Sequence, residues 1–454
     1  MNTATKDNGL SWIGIIRLGL VQTALGAIVV LTTSTLNRIM VVEYALPAVL
    51  PGALVGFHYA VQMTRPRWGY CSDVGGRRTP WIIGGMAVLS LGGFLAALAT
   101  ATMETFFAQG LVLAIFAFLL IGLGVGASGT SLLTLLATRV AAKRRPAAAS
   151  IVWIMMIAGF VVTAITAGSQ LDPYSSTRLV AVAGCVSAFA FIVATFAVWG
   201  VEGDAPHNPR TTQPKTEKPD FATVFKEVWA EPKARQFTIF VFVSMLAYSA
   251  QDLILEPFAG LVFGLTPGES TKLSGVQNAG VMVGMIVVAI AGSAIGGRRL
   301  GSMRFWAVGG CVASGLAFVG LALSGSFADV WPLHANVFFL GLANGAFAVA
   351  AIGSMMGLAN TGGEQREGTR MGLWGASQAI AFGLGGFLGT VAVDIARAFL
   401  DHTVVAYGVV FGAEAILFLL SAVIAWQVAP PAGLTGVDKK EDTMEGIGHM
   451  QPAE

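Results

Sequence analysis

Charged side chains are scarce: Asp, Glu, Lys and Arg make up 11% of 454 residues, against roughly 25% in an average soluble domain. A water-soluble surface needs more polar cover than that, so a soluble globular protein is excluded. Cysteine is scarcer still. Cys71, Cys185 and Cys311 are the complete set and form no CxxC, which excludes a disulfide framework and a cysteine-based zinc site. The five histidines do not cluster, and the chain carries no P-loop, catalytic triad, zinc motif or CaaX ending. The expectation is therefore no catalytic residues, no metal and no nucleic-acid partner. Residues 1–11 are polar and lack a small-residue cleavage site, so the first apolar segment is expected to stay as a helix.

What is abundant is apolar side chain, 55% of the chain. A bilayer accepts that composition, and a helix needs about 20 apolar residues to cross one. Runs without Asp, Glu, Lys or Arg cover 18–37, 44–64, 80–103, 105–138, 146–171, 179–201, 273–297, 305–328, 330–363 and 371–393. Two further apolar segments, 236–263 and 402–428, are interrupted only by acids. Twelve transmembrane helices are expected. The 57 glycines suit close helix packing in lipid.

Lys and Arg set the orientation. With the N-terminus inside, 23 of them fall on the cytoplasmic side and three (Arg178, Lys272 and Arg397) on the other, while Arg38 lies within a span. Both termini are expected in the cytoplasm. The polar stretch 202–235, rich in Pro, Lys, Thr and Asp, reads as a cytoplasmic linker between halves at 1–201 and 236–429. Residues 221–229 read as an amphipathic interfacial helix, and 430–454 as a disordered tail.

The halves repeat each other weakly. Arg38-Ile39-Met40-Val41-Val42-Glu43 and Asp252-Leu253-Ile254-Leu255-Glu256 each place a glutamate after an aliphatic run late in the first helix of a half. Gly69-x-x-x-Asp73-x-x-Gly76-Arg77-Arg78 has a worn second copy ending Gly296-Gly297-Arg298-Arg299. Inverted or parallel repeats of this kind build carriers. The Gly69–Arg78 sequence matches the signature of the major facilitator superfamily at every defined position, and that resemblance implies an all-α membrane fold of two pseudo-symmetric six-helix bundles. It also implies a cytoplasmic gating role for Gly69, Asp73, Gly76, Arg77 and Arg78; the plainer alternative is a merely basic loop.

Ionisable groups inside spans are functional candidates by default. They are Arg38, Glu43, His58, Asp252, Glu256, Asp394 and Glu414. At ~1.5 Å per residue, Arg38 lies about 30 Å along its helix from residue 18, and Asp252 and Glu256 about 24 and 30 Å from residue 236. Arg38, Glu43, Asp252 and Glu256 are thus expected to form a charged layer near the periplasmic rim, either a lock or a polar-headgroup site; the alternative is charge snorkelling to water. Arg397 is spaced to pair with Asp394. His58, the lone histidine within a span, could ligate the magnesium of a chlorophyll-type macrocycle or simply bond a neighbouring helix. The midplane is otherwise oily, which disfavours a small hydrophilic cargo.

Three stretches, 35–43, 251–260 (Gln-Asp-Leu-Ile-Leu-Glu-Pro-Phe-Ala-Gly) and 372–379 (Gly-Leu-Trp-Gly-Ala-Ser-Gln-Ala), resemble signatures of the PucC/LhaA family, the bacteriochlorophyll delivery branch of the facilitators. The resemblance spans roughly 12–429. It implies a non-enzymatic factor of the bacterial inner (intracytoplasmic) membrane that handles bacteriochlorophyll. Its implied partners are core or peripheral light-harvesting antenna polypeptides, or a pigment enzyme such as bacteriochlorophyll synthase. The rival expectation is a facilitator-type transporter of a hydrophobic small molecule.

Overall fold

A computed structural model describes residues 10–64, 77–141, 144–203, 229–291, 302–359 and 367–428. Gly69, Asp73 and Gly76, the second-half copy at 292–301, nearly all of the 221–229 segment and the tail after 428 lie outside the described residues. Every regular element described is helical. The first half contains α1 (Trp12–Val30), α2 (Val49–Val61), α3 (Thr79–Met103), α4 (Phe107–Arg139), α5 (Arg145–Gln170) and α6 (Ser176–Val198). The second contains α7 (Pro232–Phe263), α8 (Pro267–Ala291), α9 (Met303–Ser324), α10 (Leu333–Ala359), α11 (Glu367–Phe399) and α12 (Thr403–Val428).

Eleven of the described helices are long and apolar enough to cross a membrane. The remaining one, α2, has 13 residues plus a 3-10 turn, Gln62–Thr64. The charge-free run 44–64 does not reveal this. Its first residues are spent on a chain reversal at Ala45, whose φ is 50°, ahead of Pro47. Helix ends follow ordinary rules. Ser11 and Ser175 cap α1 and α6 by accepting from the amides of Gly14 and Arg178, both at 3.2 Å. Prolines open α3, α5 and α7, and α7 stops at Gly264 in the left-handed region, φ 69°.

Two hydrophobic cores form. One runs from Ile15 to Val198 and takes in Leu253 from α7; the other runs from Phe237 to Ala425. Ile157, Val281 and Met285 make a small third cluster between α5 and α8. Between α8 and α10 the backbones touch: a Cβ on Gly280, Gly284, Gly341 or Gly345 would strike a carbonyl oxygen of the other helix.

Candidate functional site

α1 does not end at Val30. It continues through two π-helical stretches, Leu31–Thr35 and Ile39–Glu43, around a short α turn, Leu36–Arg38. Such bulges re-aim side chains and concentrate at functional sites. Here they sit among Ser34, Thr35, Asn37 and Arg38, all of which reach across to the second half.

Ser34 donates to the Glu256 carboxylate at 2.5 Å and stands 3.1 Å from the Ser274 hydroxyl. The hydroxyls of Thr35 and Thr271 are 3.1 Å apart, and the Asn37 amide donates to the Leu253 carbonyl at 2.5 Å. Arg38, 2% exposed, pairs with Glu43 and donates to the Leu265 carbonyl at 2.6 Å. Gly260 leaves room for the guanidinium, since a Cβ there would lie 3.1 Å from it. The arginine is therefore buried in the interface, not extended towards water. Glu43, at 31% exposure, is the more accessible partner.

The expected four-residue layer splits. Arg38, Glu43 and Glu256 come together, with the Arg38 charge acting on Glu256. Asp252 sits one helical turn deeper, about 6 Å along α7, where its electrostatic neighbours are Tyr248 and Glu414. The expected layer puts both acids at one rim, whereas a single turn separates their surroundings.

Asp394 also departs from expectation. Among the described residues it makes no ion pair with Arg397. Instead Asp394 accepts from the backbone amides of Ala48 at 3.0 Å and Val49 at 2.7 Å, so α11 caps the N-terminus of α2 in the opposite half. An anion at a helix start is favourable on both hydrogen-bonding and dipole grounds. Asp172 makes a third tie, accepting from the Thr266 hydroxyl at 2.8 Å and the Gly268 amide at 3.1 Å. Tyr44 and Tyr174 bond at 2.9 Å alongside. Burial, and then the Tyr44 hydroxyl, push the Tyr174 phenol above its ordinary value. One end of the interface, the distal end, is thus sealed by hydrogen bonds. A cavity behind it, lined by Leu31, Thr35, Leu36 and Leu179 among others, holds about 10 Å³, at most a single water.

At the opposite end only Arg77 and Arg78 of the predicted gating motif are described. Glu202, the first residue of the expected linker 202–235, holds this point. It accepts from the Arg78 amide at 2.7 Å, the Thr79 amide at 2.9 Å and the Thr79 hydroxyl at 2.8 Å, capping α3. Burial favours its neutral form, but the Thr79 and Arg78 amide donors and the Arg78 charge outweigh that and hold the carboxyl below its ordinary value of 4.5. The folded value lies below the unfolded one. Its stabilisation is therefore complete above pH 4.5 and disappears as pH falls through the lower, folded value. Glu202→Ala should cost about 1–2 kcal/mol at neutral pH. In thermal unfolding, the gap from the parent protein should close on acidification.

His58 does not fit a magnesium ligand. Its ring is 2% exposed, lies 4.2 Å from the Tyr59 ring and 6.5 Å from Phe118, and holds Nδ1 2.7 Å from the Val55 carbonyl. A macrocycle needs an open face over the coordinating nitrogen, and this side chain is packed inside the first core. The sequence offered only that His58 lay mid-span; which way it faced was not readable from one helix. The interface partners missed from the sequence are Ser34, Thr35, Asn37, Thr271, Ser274 and Asp172; Glu202, which bonds the start of α3 within the first half, was missed as well. The hydroxyl-rich run Thr32-Thr33-Ser34-Thr35 in an oily helix was their one visible signal.

The model of the family described as PUCC protein matches residues 35–432. The chain is 53% identical over 428 residues to the "Bacteriochlorophyll synthase 44.5 kDa chain" of Rhodobacter capsulatus, covering 94% of this chain and 98% of that one. It is 29% identical over 431 residues to the "Protein PucC" of the same species, covering 90% and 91%. Among solved structures it superposes on a D-xylose-proton symporter with a TM-score of 0.68 at 14% identity, covering 92% and 98%. A peptide transporter matches at 0.67 and 16%, covering 92% and 95%. At such identities these structures show the fold alone, which is that of the major facilitators. The chain is a multi-pass membrane protein that belongs to the PucC family.

Proposed function

We propose that this protein is an assembly factor for photosynthetic light-harvesting complexes, working as a closed scaffold and not as a cycling carrier. It lies in the bacterial inner membrane with both termini in the cytoplasm, handles bacteriochlorophyll, and associates with antenna polypeptides or with a pigment-synthesising enzyme. The observation that carries the reading is the 53% identity, nearly end to end, to a protein named for bacteriochlorophyll synthase, combined with membership of the PucC family. The sealed distal end supports the scaffold mode. Opening it would break the Ser34–Glu256, Arg38–Leu265 and Asp394–Val49 bonds together, and each buried partner left unpaired costs about 1–3 kcal/mol.

Because His58 is enclosed, pigment handling falls to lipid-facing surfaces and no step is routed through that side chain. A second reading, transport of a hydrophobic small molecule, draws on the facilitator fold. Purification in mild detergent from a phototrophic host separates the two. Pigment and antenna polypeptides or a pigment enzyme should co-purify with the protein. A colourless preparation that drives ion-coupled uptake in liposomes would overturn the assembly reading.

A further inference from the structure

Inside the second half, α7 and α12 are antiparallel neighbours. Val262 near the end of α7 and Val404 near the start of α12 both crowd Gly325. Phe258 of α7 packs on Tyr407 and Phe411 of α12, with ring centroids 5.4 and 4.9 Å apart. Gln251 precedes Phe258 by seven residues and Glu414 follows Tyr407 by seven. Seven residues return to the same helix face after about 10.5 Å of rise. The two side chains are therefore displaced in one direction from a pair in contact and lie on the facing sides of α7 and α12, with Pro257 inside α7 between Gln251 and Phe258.

Gln251 is 0% and Glu414 3% exposed. Among the described residues, both amide atoms of Gln251 and both oxygens of Glu414 lack a hydrogen-bond partner. Phe411 and Phe418 flank Glu414 on its own helix, and Phe318 of α9 stacks on them. Buried polar groups in a membrane interior are bonded almost without exception. An ionised Glu414 accepts only, so it could use the Gln251 NH₂ but would leave the Gln251 oxygen facing negative charge. The Arg38 guanidinium is engaged by Glu43 and the Leu265 carbonyl, and Arg397 of α11 acts on Tyr407, two helical turns along α12 from Glu414. A carboxylic acid is complementary to a primary amide: its O–H donates to the amide oxygen while its carbonyl accepts from the NH₂. Both bonds would form by rotation about the soft terminal torsions of the two side chains.

We propose that Glu414 and Gln251 form a proton-binding site, in which a neutral carboxyl bonded reciprocally to the amide joins α12 to α7. The proton comes from bulk water, and its loss leaves an acceptor-only carboxylate that breaks one of the two bonds. Asp252, the next residue of α7, acts electrostatically on Glu414, and Tyr407 is the other titratable group on this face of α12. From α9 and α10 the neighbours are Phe318 and Phe347, and α11 brings Asp394 and Arg397 to the Tyr407 end of this face. The site stands independently of the assembly role.

Infrared spectroscopy of the full chain in lipid nanodiscs tests it. At neutral pH the protein should show a protonated-carboxyl C=O band that shifts in D₂O and is lost in Glu414→Gln, while Asp252→Asn retains it. Gln251→Leu keeps the carboxyl but removes its partner, so the band should move to the frequency of a non-bonded acid; this variant carries the test if Glu414→Gln fails to fold. Absence of the band from the parent protein, its survival in Glu414→Gln, or an unmoved band in Gln251→Leu would overturn the proposal. So would a saturable rise in Tm with sodium that Glu414→Gln abolishes, which would assign the site to an alkali cation.

Discussion

Arg38→Met should destabilise the folded protein by about 3 kcal/mol, because breaking a buried ion pair from one side leaves its partners without compensation. Methionine keeps most of the aliphatic volume, so the loss is chiefly of bonds. Arg38 joins Glu43 to the Leu265 carbonyl and lends its charge to Glu256. Glu43 is partly exposed and can turn to water; the carbonyl and Glu256 cannot. Arg38→Lys should recover only part of the loss, since an ammonium group lacks the planar fork that serves two acceptors at once. A double-mutant cycle with Glu256→Gln in detergent-solubilised protein should show coupling well above the few tenths of a kcal/mol expected for independent sites. Additive effects would remove Arg38 from the lock.

Gly284→Val should be comparably severe, for a different reason. A Cβ at Gly284 would strike the Leu342 carbonyl and lie 2.9 Å from the Ala346 amide nitrogen, and a backbone cannot rotate aside as a side chain can. Forcing extra volume into such a contact costs about 1–3 kcal/mol even when the structure relaxes, and the γ-methyls of valine add to it. Gly309→Ala is the opposite case. Nothing lies within 4 Å of its Cβ position, so it should gain about 0.5–1 kcal/mol from helix propensity alone. Opposite shifts in thermal unfolding for these two glycines would establish that backbone contact between α8 and α10 matters, not glycine content.

The spans were legible because bilayer chemistry forces every backbone polar group into a helix, which leaves charge-free runs as a direct record. α2 shows where that record blurs: residues 44–48 are as apolar as the helix they precede, so composition cannot separate turn from span. Arg38, Glu43 and Glu256 were visible as charges out of place. Their partners were not, because Ser34 meets Glu256 222 residues away and Ala48 meets Asp394 346 residues away. A hydrogen bond over that separation leaves no local pattern. Asp394 had a plausible partner in Arg397, and helix spacing favoured it. Two backbone amides at the start of α2, invisible to any reading of side chains, took the carboxylate instead. Glu202 was missed for the same reason, its acceptors being satisfied by the amides that open α3.

A closed scaffold works with its distal end shut, and Thr35 with Thr271 offers a direct handle on that end. Their hydroxyls are 3.1 Å apart across the two halves, close to the reach of a disulfide. In a background with Cys71, Cys185 and Cys311 replaced, Thr35→Cys/Thr271→Cys can be oxidised in membranes of a phototrophic host and antenna accumulation followed by absorption. Accumulation should be equal with the halves cross-linked or free; loss of accumulation on cross-linking, restored by reduction, would contradict a closed scaffold.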